Sequence, residues 1–266
     1  MARPALTRRI CDSPYGQIHY WVTGTGPHLT LFHQSAQSSV EYERIAPLLA
    51  DAFTVVGLDL PGHGRSDDPP HEMEMDDLTA SALAVLDDAG VERTHVLGHH
   101  GGVSLTLDLA TKHPARVDKV IHSGGGTRTE EEFEALKNMP MTRDLPLDEA
   151  GDFLAQTWSV YRRMSAQKTP PNITLLPLVA GLQARLRPFD MHQALYRWDA
   201  EAARAKFDKE TLLIKGTEDL FGGNVADRHA HMPGSTYVEI PDGGAWLFYE
   251  QPEACAKAVR AFLLAD

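Results

Sequence analysis

Five side chains with chemistry to offer stand at or a few residues beyond the ends of short apolar runs. His33 follows Leu29–Phe32, His99 and His100 follow Val96-Leu97-Gly98, His122 follows Val120-Ile121, and Asp219 closes Gly216-Thr217-Glu218-Asp219. If those runs are neighbouring parallel strands, the residues gather above one edge of a sheet, where open α/β proteins place their ligands. A neutral imidazole near a carboxylate is a general base whose proton affinity suits neutral water. An acid at a strand end can also simply cap the next helix. His33, His100 and His122, with Asp219 as a fourth ligand, have the types a zinc site needs. Their spacing carries no metal motif, and Cys11 and Cys255 stand nearly the whole chain apart, so no metal is expected. His229 and His231 read as surface residues of a helix.

Strands and helices must do the positioning. Buried-strand runs occur at Leu29–Phe32, Phe53–Leu58, His95–Leu97, Lys119–His122, Thr211–Ile214 and Tyr237–Ile240. Continuous apolar runs suit strands covered on both faces, as in a parallel sheet. Helical spacing of apolar residues marks Val40–Asp51, Met75–Ala89, Val103–His113 and Pro252–Leu264. This alternation predicts an α/β fold with a doubly wound, mostly parallel sheet. Tyr15–Val22 and the Gly24-Thr25-Gly26-Pro27 turn predict an antiparallel hairpin opening. From residue 125 to 209 the alternation stops, leaving helical pieces at Glu130–Asn138, Asp148–Met164, Ile173–Leu186 and Met191–Lys206. Breaks fall at Pro140, Pro146, Pro170-Pro171 and Pro188. A helical cap over 125–209 is therefore expected on a core of 1–124 and 210–266. Its aromatics (Phe133, Phe153, Trp158, Tyr161, Phe189, Tyr196 and Trp198) would mainly dock it, a few lining a ligand cavity.

The 266 residues carry 37 acidic against 25 basic side chains, a formal net charge of -12, and are 42% hydrophobic. That balance repels nucleic-acid backbones and anionic membrane surfaces, so neither is an expected partner. No apolar run reaches the roughly 20 residues of a membrane span. Met1–Ser13, with Arg3, Arg8 and Arg9, lacks the apolar stretch of a secretory signal. With two distant cysteines and no disulfide framework, a cytoplasmic protein is expected.

Three segments together resemble the capped α/β-hydrolase family across essentially the whole chain: Leu31-Phe32-His33-Gln34-Ser35, Asp59-Leu60-Pro61-Gly62-His63-Gly64-Arg65-Ser66, and Leu97-Gly98-His99-His100-Gly101-Gly102. The resemblance makes the third a nucleophile elbow, with Gly98 and Gly102 flanking a strained tip. In the family the tip is Ser, Cys or Asp; here it is His100. Asp219 matches the family acid, but the family's general-base histidine falls on Ala245, and no histidine follows His231. An imidazole at 100 reaches further than a hydroxyl, and Ala245 leaves it space. A His100–Asp219 dyad follows as the expectation, direct or through one water. The N–H groups of Gly101 and of Ser35 or Gln34 would hold an oxyanion.

The resemblance implies a hydrolase of a small apolar ester, lactone or activated carbonyl compound, with His100 as general base, no cofactor and a small-molecule substrate as partner. A cofactor-independent lyase, isomerase or oxygenase using the same dyad, or a ligand binder that lost its triad, are the alternatives. A homodimer is the assembly left open. The pocket is expected to be bordered by His33, His99, His122, Ser123, Arg128, Trp158, Ala245 and Trp246. Among these His33 organises its loop and His99 packs below the turn. One of His122 and Ser123 faces the cavity, with Ser123 as an alternative nucleophile. Arg128 meets a substrate carboxylate or is plain surface.

Overall fold

Successive residues of the central strands point to opposite faces, and both faces are buried. Leu29, Leu31, Val55, Leu97 and Ile121 join one apolar cluster, while Phe32, Val56, Leu58, Val96 and Val120 join the other. In the computed structural model residues 5–139, 141–189 and 191–265 are described, so Arg3 and the break at Pro140 lie outside the described residues. Eight strands form one sheet: β1 (Thr7–Ser13), β2 (Gly16–Thr23), β3 (His28–Phe32), β4 (Thr54–Leu58), β5 (Thr94–His99), β6 (Val117–Ser123), β7 (Thr211–Gly216) and β8 (Thr236–Ile240). Their order is β1-β2-β4-β3-β5-β6-β7-β8, parallel from β4 to β8.

The helices are α1 (Ala46–Leu49), α2 (Met75–Asp88), α3 (Gly101–Lys112), α4 (Glu130–Lys137), α5 (Asp152–Met164), α6 (Pro171–Arg185), α7 (Met191–Arg197), α8 (Ala200–Lys206), α9 (Val225–Ala230), α10 (Leu247–Glu250) and α11 (Pro252–Leu263). Residues of α2 and α3 cover one face of the sheet, and those of α1 and α11 the other. The chain therefore leaves β3 toward one side and β5 toward the other. The crevice between those two strand ends is where the loop after His33 and the turn at His100 face each other.

Three expectations need correction. The opening hairpin lies upstream: β2 pairs antiparallel with β1 and with β4, not with β3, so the Gly24–Pro27 turn is a crossover. Val40–Asp51 is not one helix but a 3₁₀ turn, Ser39–Tyr42, followed by the short α1. Pro47 has no N–H to continue a ladder begun before it. Met191–Lys206 is two helices, because Asp199 caps α8 by accepting from Ala202 N.

Between β6 and β7 the described residues hold five helices and one isolated bridge, Thr127 with Asn224. Tyr161 of α5 stacks on Trp246 with ring centroids 4.7 Å apart, and Leu178 of α6 joins the same small cluster. Trp158 packs there too, while Phe189 and Trp198 pack into the cluster beneath α2 and α3. No helix among the described residues is long and apolar enough to cross a membrane.

Candidate active site

His100 sits between the end of β5 and the first residue of α3, at φ 44° and ψ -107°. A non-glycine residue held there costs about 1–3 kcal/mol, which the surrounding packing must supply. The strand and helix approach too closely for side chains at either flank. A Cβ on Gly98 would strike the Gly102 carbonyl, and one on Gly102 the Phe32 carbonyl. Across the ring, a Cβ on Gly124 would lie 2.5 Å from His100 Cδ2, so this glycine makes room for the imidazole.

The ring is held at both nitrogens. Nε2 lies 2.9 Å from Asp219 Oδ2 and Nδ1 lies 3.1 Å from Gln34 Oε1. Asp219 in turn accepts at Oδ1 from Phe221 N at 2.9 Å and Gly222 N at 3.1 Å. Burial raises the proton affinity of the Asp219 carboxyl. The His100 ring beside it, the nearby His99 and the Phe221 N–H outweigh that and hold it well below the usual carboxylate range. The His100 side chain is only 14% exposed and that of Asp219 3%, so the pair is shielded but within reach of a ligand.

Behind the pair stands a group that the sequence reading missed. Glu41 is fully buried on the 3₁₀ turn and accepts hydrogen bonds from Gln34 N at 3.1 Å, from Gln34 Nε2 at 3.0 Å and from His99 Nδ1. Burial raises its proton affinity, and His99 together with the Gln34 N–H more than reverses this, leaving it lowered. Nothing in the hydropathy pattern marks it. Val40 is 40% exposed while Glu41 is 0% exposed, the reverse of what an amphipathic reading assigns.

The same carboxylate decides which backbone amides of the loop after β3 are left without an acceptor. Gln34 N–H is taken by Glu41, so Gln34 is corrected as a backbone donor. Among the described residues Ser35 N–H has no acceptor, and Gly101 N–H, in the first turn of α3, has no intrahelical one. The two are neighbours: a Cβ on Gly101 would lie 3.2 Å from Ser35 N.

Several pocket expectations fall elsewhere. His33 accepts from Leu60 N at 3.0 Å and donates from Nδ1 to Gln34 O, so it pins the loop after β3. His99 is wholly buried, its ring 4.1 Å from that of His100 and edge-on to Phe248. His122 turns away from the site. It accepts from Arg228 Nη2 at 2.9 Å and donates to Thr106 Oγ1, on the α3 side of the sheet. Ser123 Oγ is buried and has no hydrogen-bond partner among the described residues. Arg128 donates to the Phe221 carbonyl and is half-buried. Trp246 is buried, its indole N–H donating to Tyr161 O at 3.1 Å, and Trp158 packs beside it, so both serve docking rather than the pocket. Ala245 is buried, and its carbonyl accepts from Gln34 Nε2 at 3.3 Å; on that side the Gln34 amide arrives. Among the described residues no three His, Cys, Asp or Glu side chains gather as a metal site.

Residues 27–252 match the model of the alpha/beta hydrolase fold. This chain belongs to the alpha/beta hydrolase fold family. It is 37% identical over 269 aligned positions to 2-hydroxy-6-oxononadienedioate/2-hydroxy-6-oxononatrienedioate hydrolase 2 of Pseudomonas putida, covering 93% of this chain and 91% of that protein. A putative non-heme haloperoxidase of Mycobacterium phage D29 is 35% identical over 95 residues, but only 35% of this chain and 34% of that protein are matched. Among solved alpha/beta hydrolases, E-2-(acetamidomethylene)succinate hydrolase superposes with a TM-score of 0.78 at 20% identity, over 98% of this chain and all of that one, a likeness of fold.

Proposed function

We propose that the chain is a hydrolase of a small activated carbonyl compound in which His100 carries the proton. The observation that supports this is the pairing of an imidazole, 2.9 Å from a buried carboxylate, with amides at Ser35 and Gly101 that meet no acceptor among the described residues. A carbonyl oxygen seated on those amides would have its developing negative charge met by fixed donors. Once substrate has displaced the Gln34 carbonyl and the Nδ1 proton has passed to bulk water, a water adds to the carbonyl carbon and its proton passes to His100 Nδ1. Asp219 accepts from Nε2 and stabilises the imidazolium that forms. When the carbon–leaving-group bond breaks, His100 returns the proton to the leaving group, and a carboxylic acid remains.

Ala36, one residue beyond Ser35, also lines a small cavity with His63, Tyr161, Phe189, Arg143 and Arg185, whose guanidinium groups donate to backbone carbonyls. The Pseudomonas putida relative is named for a dioate.

A second reading is favoured by the two acceptors around the ring. With a proton on each nitrogen, His100 can protonate an enolate held in the same pocket, the step of a carbonyl isomerase or a decarboxylating lyase. Solvent deuterium entering unreacted substrate or product at carbon separates that chemistry from hydrolysis.

The test is a panel of aryl esters, lactones and vinylogous diketones with wild type, His100→Ala and Ser123→Ala. His100→Ala is expected to lower kcat/KM by about 10²–10⁴-fold, the range for a lost acid–base group, and Ser123→Ala to leave it within about twofold. The opposite pattern would move the chemistry to Ser123. If no compound turns over while a ligand raises Tm, the chain is a binder instead.

A further inference from the structure

Glu41 is a buried carboxylate that touches no substrate position, yet it faces the reacting pair through one intermediary. Its Oε1 accepts from Gln34 Nε2 at 3.0 Å, and the same amide nitrogen lies 3.3 Å from the Ala245 carbonyl. Both hydrogens of the Gln34 NH₂ thus meet acceptors, and the backbone N–H of Gln34 binds Glu41 Oε2 at 3.1 Å. Turned by half a rotation, the amide would set its oxygen against a carboxylate and a carbonyl. The amide therefore has one orientation, and its oxygen faces His100 Nδ1 at 3.1 Å.

An acceptor at Nδ1 requires a proton there. Asp219 Oδ2, whose carboxylate already accepts two backbone N–H groups, requires another at Nε2. We propose that Glu41 is a positioning residue: by locking the Gln34 amide, it makes His100 an imidazolium bonded at both nitrogens. A neutral amide in place of Glu41 reverses the chain of constraints. Its oxygen still accepts from Gln34 N–H, its NH₂ faces Gln34, and the Gln34 amide turns to donate to Nδ1, giving up its 3.3 Å bond to the Ala245 carbonyl. His100 then keeps only the Nε2 proton and gains a lone pair.

This deepens the reading of His100 as proton carrier, and its readout needs no turnover, so the two can fail separately. Full-length protein labelled with ¹⁵N in the histidine rings is examined by NMR near neutral pH for wild type, Glu41→Gln and Gln34→Met, with His100→Asn identifying the His100 signals. Wild type is expected to show two protonated ring nitrogens at His100, and Glu41→Gln one, on Nε2. Gln34→Met, which removes the relay but keeps the carboxylate, is expected to lose the Nδ1 proton as well, and it carries the test alone if Glu41→Gln does not fold. A singly protonated His100 in wild type, or two protons retained in either folded variant, overturns the proposal. Where turnover is found, Glu41→Gln should move the pH profile of kcat/KM. The groups facing the ring in that profile are Asp219, His99 and Gln34, with Arg128 and Glu41 behind them.

Discussion

Position 100 trades backbone strain for reach. The φ of 44° lifts the imidazole out of the strand, and the ring spans from Asp219 on one side to Gln34 on the other, a distance no hydroxyl could bridge. The space it fills is bounded by Gly124, whose own φ is 75°. Gly124→Ala is expected to displace the ring from Asp219, lowering kcat/KM at least tenfold, and to cost about 1–3 kcal/mol in chemical denaturation through the strained φ. Unchanged activity with an intact fold would mean the ring does not work from that position. At this scale the histidine was legible because it follows an apolar run between glycines, and Asp219 because it matches the acid position of the family the chain resembles. Glu41 and the side chain of Gln34 were not, because a buried carboxylate among polar loop residues looks like any solvated one until its three donors arrive from β5 and the loop after β3.

Elements are tied at a few buried polar points. Asp108 of α3 is fully buried and accepts from Thr79 Oγ1 of α2 at 2.7 Å and from the Trp198 indole N–H at 2.9 Å, with Lys112 Nζ 2.8 Å away. It thus pins α2 and the α7–α8 corner to the helix that carries the elbow. Asp108→Ala leaves buried donors unpaired and is expected to lower unfolding free energy by roughly 3 kcal/mol, at the lower end for breaking a buried ionic network. Urea denaturation reads this directly, and a loss below about 1 kcal/mol would show that these contacts add little. The strand runs were readable because burial on both faces leaves no polar alternation. The strand partners were not. Whether β2 pairs with β1 or β3 depends on where the chain crosses over, and the Gly24–Pro27 turn is compatible with either path.

Across the whole molecule, histidines dominate the acid response. Burial lowers the proton affinity of His33, His63, His99 and His122, that of His63 from 6.5 to about 3 with help from the neighbouring His33. In the unfolded chain these rings protonate near pH 6.5. Below that pH unfolding takes up protons, so stability falls by up to about 1.4 kcal/mol per pH unit for each ring until its folded value is reached. Carboxylates act lower down. Asp59 is buried, yet the donors His19, Ser39 and Arg65 outweigh that burial and hold it at about 2. Its contribution is present above the unfolded carboxylate value near 3.8 and is lost as pH falls toward 2. Tm is expected to decline steadily from pH 7 to pH 4.5, and a flat Tm over that interval would show that the rings are protonated inside the fold.

The order of apolar runs was enough to determine the α/β layering, since that depends on local period, and the glycines at 98 and 102 marked a close strand–helix approach around His100. Which acceptor meets which nitrogen of His100, and which backbone amide after β3 is already engaged, was decided only when the 3₁₀ turn brought Glu41 against Gln34. Hydrogen-bond direction depends on every partner in the network, and partners distant along the chain leave no trace in its spacing.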